Sequence, residues 1–129
     1  MPQILVIDDE PEVREFLVTA LERSGFSVSS AANGREGVHH CRRNQIDLVI
    51  TDLVMPEKEG LETIIELKRE HPDLPVIAIS GGARGDSQHY LSAAELCGAE
   101  RVFDKPIAPD VLVAAVREIL GDDSSPVGP

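Results

Sequence analysis

The sequence predicts a doubly wound α/β fold: one five-stranded parallel sheet with helices on both faces. Three observations carry this expectation. Short apolar runs of strand length alternate five times with segments of helical spacing. The helical segments are about 10–15 residues long, the length that joins parallel neighbours in βαβ units. Four of the apolar runs lead into polar residues, at Asp8-Asp9, Asp52, Ser80 and Asp104-Lys105, as strands do when they open into loops at one sheet edge.

Ile4-Leu5-Val6-Ile7 is the first strand. Pro11 to Ser24 carries Val13, Phe16, Leu17, Ala20 and Leu21 at helical spacing and stops at Gly25. Phe26 to Ala31 alternates like a short strand. Asn33-Gly34-Arg35-Glu36 starts a helix that reaches about Arg43, with an N-cap amide followed three residues later by an acid. Ile46 to Thr51 is a buried strand closed by Asp52. Val54 to Gly60 is a loop, followed by a helix through Leu61, Ile64, Ile65 and Leu67 that Pro72 to Pro75 breaks. Val76 to Ile79 ends in Ser80, and Gly81 to Gly85 is a flexible loop before a helix over Ser87 to Leu96. Val102-Phe103 leads into Asp104-Lys105-Pro106. Pro109 opens the last helix, with Val111, Leu112, Ala115, Val116 and Ile119 inward and Gly121 as its stop. One domain over residues 1–121 is expected, with 122–129 a frayed tail that has little to pack.

Composition excludes several classes. The chain has 129 residues and 42% hydrophobic content, ordinary for a globular domain. Twelve basic against 23 acidic residues give a formal charge of -11, which argues against direct contact with nucleic acid. No apolar run approaches the roughly 18 residues of a membrane span, and no export signal opens the chain. Cys41 and Cys97 lack CxxC spacing, so a reduced, cytoplasmic protein is expected. His39-His40-Cys41 is read as a solvated helix face with one inward Cys, because consecutive helical residues point apart.

If the strands are parallel neighbours, Asp8, Asp9 and Asp52 converge with the Ser80 hydroxyl and the Lys105 ammonium at the carboxyl edge of the sheet. In open α/β sheets that edge binds ligands. Carboxylates about 5 Å apart repel by about 3 kcal/mol per pair at an effective dielectric near 20, so a cation is needed. Hard oxygen donors suit Mg²⁺. A carboxylate held between Mg²⁺ and the Lys105 ammonium can attack a phosphoryl group, with the charge on its oxygens neutralised from both sides. Ser80 could hydrogen-bond one of those oxygens.

The pieces Asp8-Asp9-Glu10-Pro11, Asp52-Leu53-Val54-Met55-Pro56 with Gly60, Ser80-Gly81, Gly98-Ala99 and Lys105-Pro106 occur in one order and spacing. Together they resemble a response-regulator receiver domain of bacterial two-component signalling, from residue 3 to about 120. The resemblance implies a flavodoxin-like (βα)5 fold. It implies that Asp52 accepts a phosphoryl group from a histidine kinase or a histidine phosphotransfer protein. Asp9, Asp52 and the backbone carbonyl of Val54 would bind Mg²⁺, with Asp8 acting through water. Ser80 would be the switch hydroxyl, Lys105 the phosphate-pairing cation, and Lys105-Pro106 a cis peptide. A downstream protein would read the change.

The pattern departs from the family in three places. Val102 stands where an aromatic often lies, and Phe103 falls on the opposite strand face. The stretch from Ser80 to Lys105 is a few residues longer than in many members. No output domain follows, which suggests a stand-alone receiver. The competing reading is a pseudo-receiver, an interaction module independent of phosphorylation. A haloacid-dehalogenase-type phosphatase would need an acid where Val54 stands. A flavin carrier would need a hydroxyl-rich phosphate loop after the first strand and aromatics to sandwich the ring, whereas this chain has acids there, no Trp and a single Tyr, Tyr90.

Overall fold

The computed structural model describes residues 2–53, 60–81 and 87–121. The elements alternate as β1 (Gln3–Ile7), α1 (Pro11–Arg23), β2 (Ser27–Ala31), α2 (Gly34–Arg43), β3 (Leu48–Asp52), α3 (Gly60–Glu70), β4 (Val76–Gly81), α4 (Ser87–Leu96), β5 (Arg101–Lys105) and α5 (Pro109–Leu120). One sheet of order β2-β1-β3-β4-β5 joins the strands, and every neighbouring pair is parallel. This is the predicted fold. The chain moves from β1 outward to β2, then returns past β1 to β3, so the order reverses between β1 and β3. A crevice opens at such a reversal, at the carboxyl ends of the strands.

Strand alternation divides the core in two. Ile4, Val6, Leu48, Ile50, Ile77 and Ile79 pack with Leu17 and Leu21 of α1 and Leu112 and Val116 of α5. Leu5, Ile7, Val49, Val76 and Ala78 pack on the other face with Val38 and Cys41 of α2, Ile64 and Leu67 of α3, and Ala94 of α4. Helices on both faces explain why the central strands are continuously apolar. Cys41 is inward and His39 exposed, as expected for α2. Val102 packs with the α2–α4 layer and Phe103 with the α1/α5 layer, so the two do lie on opposite faces.

Several boundaries differ from expectation for local reasons. Phe26 is outside β2 because its N–H donates to the Leu21 carbonyl, closing α1 instead of joining the sheet. β3 starts at Leu48 because Asp47 forms a bracket with Gln3. The Asp47 N–H donates to the Gln3 carbonyl at 2.8 Å, and its carboxylate accepts the Gln3 N–H at 2.7 Å. β4 and β5 run on through Ser80 and Lys105 because Ser80 pairs with Asp104 and Gly81 with Lys105. Val111 is 48% exposed, whereas Val113 is buried. α1 flanks α5 on the side of Val113, so the buried stripe is Leu112, Val113, Ala115 and Val116. The tail from 122 and the loop over 82–86 lie outside the described residues.

The amino edge of the sheet is closed by a second acidic bracket. The Glu100 carboxylate accepts the Val76 N–H at 2.9 Å and pairs with Lys68 at 2.8 Å. Around α2, Asn33 caps the Glu36 N–H at 2.9 Å, while Glu36 reaches back to the Ala32 N–H at 3.4 Å.

At the carboxyl edge, Gly60 brings α3 against the end of β3. A Cβ there would collide with the Asp52 carbonyl oxygen and lie 2.5 Å from the Leu53 Cα. Backbone cannot yield as a side-chain tip does. Gly60→Ala should therefore lower the free energy of unfolding by about 1–3 kcal/mol, as overpacking does. Gly37→Ala should cost less, because its Cβ would meet only the Ile7 side chain and the helix gains propensity. Denaturant unfolding of both variants checks the order, and an equal or larger loss at Gly37 would refute the backbone explanation.

Candidate functional site

The site is assembled by strand alternation carried one step past the core. Ile4 and Val6 face the α1/α5 layer, so Asp8 follows them on that side. Leu48 and Ile50 lead in the same way to Asp52, and Phe103 leads to Lys105. Ile7 lies beside Thr51, Asp52 beside Ile79, and Gly81 beside Lys105, so these residues reach the carboxyl edge together.

Asp8 and Asp52 are buried, and Asp9 is half-buried. The Asp8 N–H donates to the Ala31 carbonyl at 3.1 Å, fixing the turn out of β1. Its carboxylate accepts the Glu10 N–H at 2.9 Å, and Arg14 donates to its carbonyl at 2.7 Å. Pro11 then occupies the first helical position, where its missing N–H is not needed. The Lys105 ammonium reaches across to Asp8 at 3.1 Å, Asp52 at 3.3 Å and Glu10 at 3.1 Å. Lys105-Pro106 is cis, as the resemblance implied. Ser80 is fully buried on β4, and its hydroxyl has no hydrogen-bond partner among the described residues. A buried hydroxyl without a partner is costly unless something else uses it.

Carboxylate oxygens of Asp8, Asp9, Glu10 and Asp52 lie within 4.8 Å of one another. This is an oxygen-only donor set of the kind that holds a hard divalent cation. It is the one such group of metal-ligating side chains among the described residues. Burial pushes the Asp8 carboxyl up, and the Glu10 N–H and Lys105 only partly offset that. For Lys105, burial alone would push the ammonium down, but Asp52, Asp8 and Glu10 outweigh it and hold it above its usual value. Burial thus sets the direction at Asp8, whereas the surrounding carboxylates set it at Lys105.

The structure thus brings together Asp8, Asp9, Asp52 and Lys105, with Ser80 on the intervening strand. Val54, expected to supply a backbone carbonyl, lies outside the described residues. Glu10 was not anticipated from the sequence as a member of the site. It occupies the N-cap of α1 without capping the helix by its side chain, and its carboxylate goes to Lys105 instead. Its adjacency to the acidic pair was the available signal.

Comparison with known proteins places these features in a family. The family described as response regulator receiver domain matches residues 4–117. The probable transcriptional regulator ycf27 of Porphyridium aerugineum is 38% identical over 118 residues, 92% of this chain and 48% of that protein. The transcriptional regulatory protein SrrA of Staphylococcus aureus is 32% identical over 92% of this chain and 47% of its own length. The chain therefore spans about half the length of the curated relatives it matches. A response regulator receiver domain protein from Clostridium thermocellum superposes with a TM-score of 0.87 at 32% identity, covering 94% of this chain and 95% of that one. The response regulator TrrA from Thermotoga maritima, solved in complex with Mg(2+)-BeF, gives a TM-score of 0.82 at 32% identity, over 92% of this chain and 99% of its own.

The raised Asp8 carboxyl has a signed consequence for metal-free protein. As pH rises past the ordinary value of 3.8, the unfolded chain loses its Asp8 proton first, while the native state retains it. Native stability from this group is complete below that pH and is lost as pH climbs through the raised native value. In EDTA, Asp8→Asn should therefore gain on wild type as pH rises from about 4, by up to about 1.4 kcal/mol per unit within the window. Denaturant unfolding across that range checks it. A difference that is flat or falls with pH would show that Asp8 is not held protonated.

Proposed function

Because the chain belongs to the response regulator receiver family, we propose that it is a phosphorylation-dependent switch in which Asp52 accepts the phosphoryl group. The observation that carries this reading is the nearly buried Asp52 carboxylate beside the Lys105 ammonium, within an oxygen cluster and next to a strand bearing a buried hydroxyl that has no partner among the described residues. The donor would be a histidine kinase or a histidine phosphotransfer protein. An Asp52 oxygen attacks phosphorus, the bond to the donor nitrogen breaks with its electron pair, and an acyl phosphate remains on Asp52.

Asp9 and Asp52 would hold Mg²⁺ directly with the Val54 carbonyl, and Asp8 would act through water. The donor set fits, and the relative TrrA was solved with Mg(2+)-BeF. When bound, Mg²⁺ neutralises charge on the phosphoryl oxygens. Lys105 pairs with a phosphoryl oxygen from the other side, and the Ser80 hydroxyl donates to one, which would satisfy its hydrogen-bonding capacity. The domain is a signalling switch rather than an enzyme with its own substrate.

The new acceptor oxygens draw Ser80 and Lys105 inward, which biases β4, α4 and β5. With Val102 and Phe103 on opposite faces, the change proceeds by displacement of loop and helix, without an aromatic ring swinging in behind Ser80. A downstream protein reads the altered surface. The net charge of -11 disfavours nucleic acid as that reader. No helix among the described residues is long and apolar enough to cross a membrane, which fits a cytoplasmic site of action.

With Mg²⁺ and acetyl phosphate, the protein should gain the mass of one phosphoryl group. EDTA and Asp52→Asn should each abolish that gain. Intact-protein mass spectrometry decides, and labelling of Asp52→Asn would overturn the assignment.

A second outcome concerns the switch. With Mg²⁺ and beryllofluoride, amide hydrogen exchange should change within residues 80–105. Changes confined elsewhere would refute the route through Ser80 and favour a phosphorylation-independent interaction module.

A further inference from the structure

The Lys105 ammonium faces three carboxylates: it donates a hydrogen bond to Glu10 at 3.1 Å and forms ion pairs with Asp8 at 3.1 Å and Asp52 at 3.3 Å. If Lys105 is to pair with a phosphoryl group on Asp52, one donor must turn toward it. The three partners are not equally easy to leave. The Asp8 and Asp52 side chains are 1% and 3% exposed, whereas that of Glu10 is 62% exposed. Abandoning a buried carboxylate strands a charge away from water, while an exposed one is rehydrated at little cost.

The Glu10 main chain is fixed on both sides. Its N–H donates to the Asp8 carboxylate, and Pro11 begins α1 directly after it. Only the side chain is free to swing. Its carboxylate oxygen also lies within 4.8 Å of one on Asp52, close enough to repel an incoming phosphate dianion.

We propose that Glu10 is an anionic placeholder for the phosphoryl group: it occupies Lys105 in the resting domain, is displaced on phosphorylation, and thereby restrains phosphoryl uptake. It acts through Lys105 and is a positioning residue. The inference rests on Asp52 being the phosphoacceptor. It adds a brake, local to this site, that sets how readily a given donor charges the domain.

The test compares wild type with Glu10→Gln and Glu10→Ala at saturating Mg²⁺. Labelling by acetyl phosphate, followed by mass spectrometry, is resolved into the half-saturating donor concentration and the maximal rate. Beryllofluoride affinity supplies an equilibrium readout without chemistry. Both variants should be labelled about two- to fivefold faster at low donor concentration, the scale of one half-exposed ion pair. They should bind beryllofluoride tighter by a similar factor. The gain should appear in the half-saturating concentration rather than the maximal rate, and it should shrink in high salt. Unchanged or slower labelling of both variants, or a gain indifferent to salt, would overturn the proposal while leaving Asp52 as acceptor. Failure of wild type to be labelled or to bind beryllofluoride would overturn the phosphoacceptor reading, and this inference with it.

Discussion

One ammonium holds the carboxyl edge of this domain together. Two buried aspartates stand at the ends of the two strands where the sheet order reverses, with Asp9 and Glu10 close by. Without Lys105 that arrangement would consist of like charges in a partly dry cleft, each pair repelling by about 3 kcal/mol. β5 exists at this place in the sheet to deliver Lys105. Its pairing with β4 runs to the last residue, Gly81 beside Lys105, and so sets the height at which the ammonium meets Asp8 and Asp52. The rest of the fold, two apolar layers around a parallel sheet, makes that height reproducible.

Much of this was legible in the sequence because two periodicities coincide there. Alternation in the strands separates Leu5 from Val6 and Val102 from Phe103, and the same alternation places Asp8, Asp52 and Lys105 on one side. Helical spacing and terminal Gly or Pro marked the helices. What escaped was decided by contacts between distant segments. The start of β3 depends on Asp47 bonding Gln3, 44 residues away. The rotation of α5 that buries Val113 instead of Val111 depends on α1 lying alongside.

Glu10 escaped for a different reason. Its residue type and position are those of an ordinary acid at a helix start, which helix-start rules already explain. Only the 3.1 Å approach to Lys105, 95 residues later, separates a capping role from a site role. Gly60 is the converse case. It was visible as part of a motif, yet its necessity comes from the close approach of α3 to the Asp52 carbonyl.

The two acidic brackets at the amino edge give the domain a mechanical character. Asp47 and Glu100 fasten the starts of β1 and β4 through backbone amides, with Lys68 tying down the second. The opposite edge is held by mutual attraction among charges that a ligand can rearrange. The sheet is therefore a cantilever, clamped at one end and loaded at the other. Displacement grows with distance from the clamp, so the strand tips have more freedom to travel than the strand starts. A binding partner, a fluorescent reporter or an engineered fusion placed at the clamped edge would register little of the proposed switch, and for that reason it is where cargo can be attached without disturbing the site.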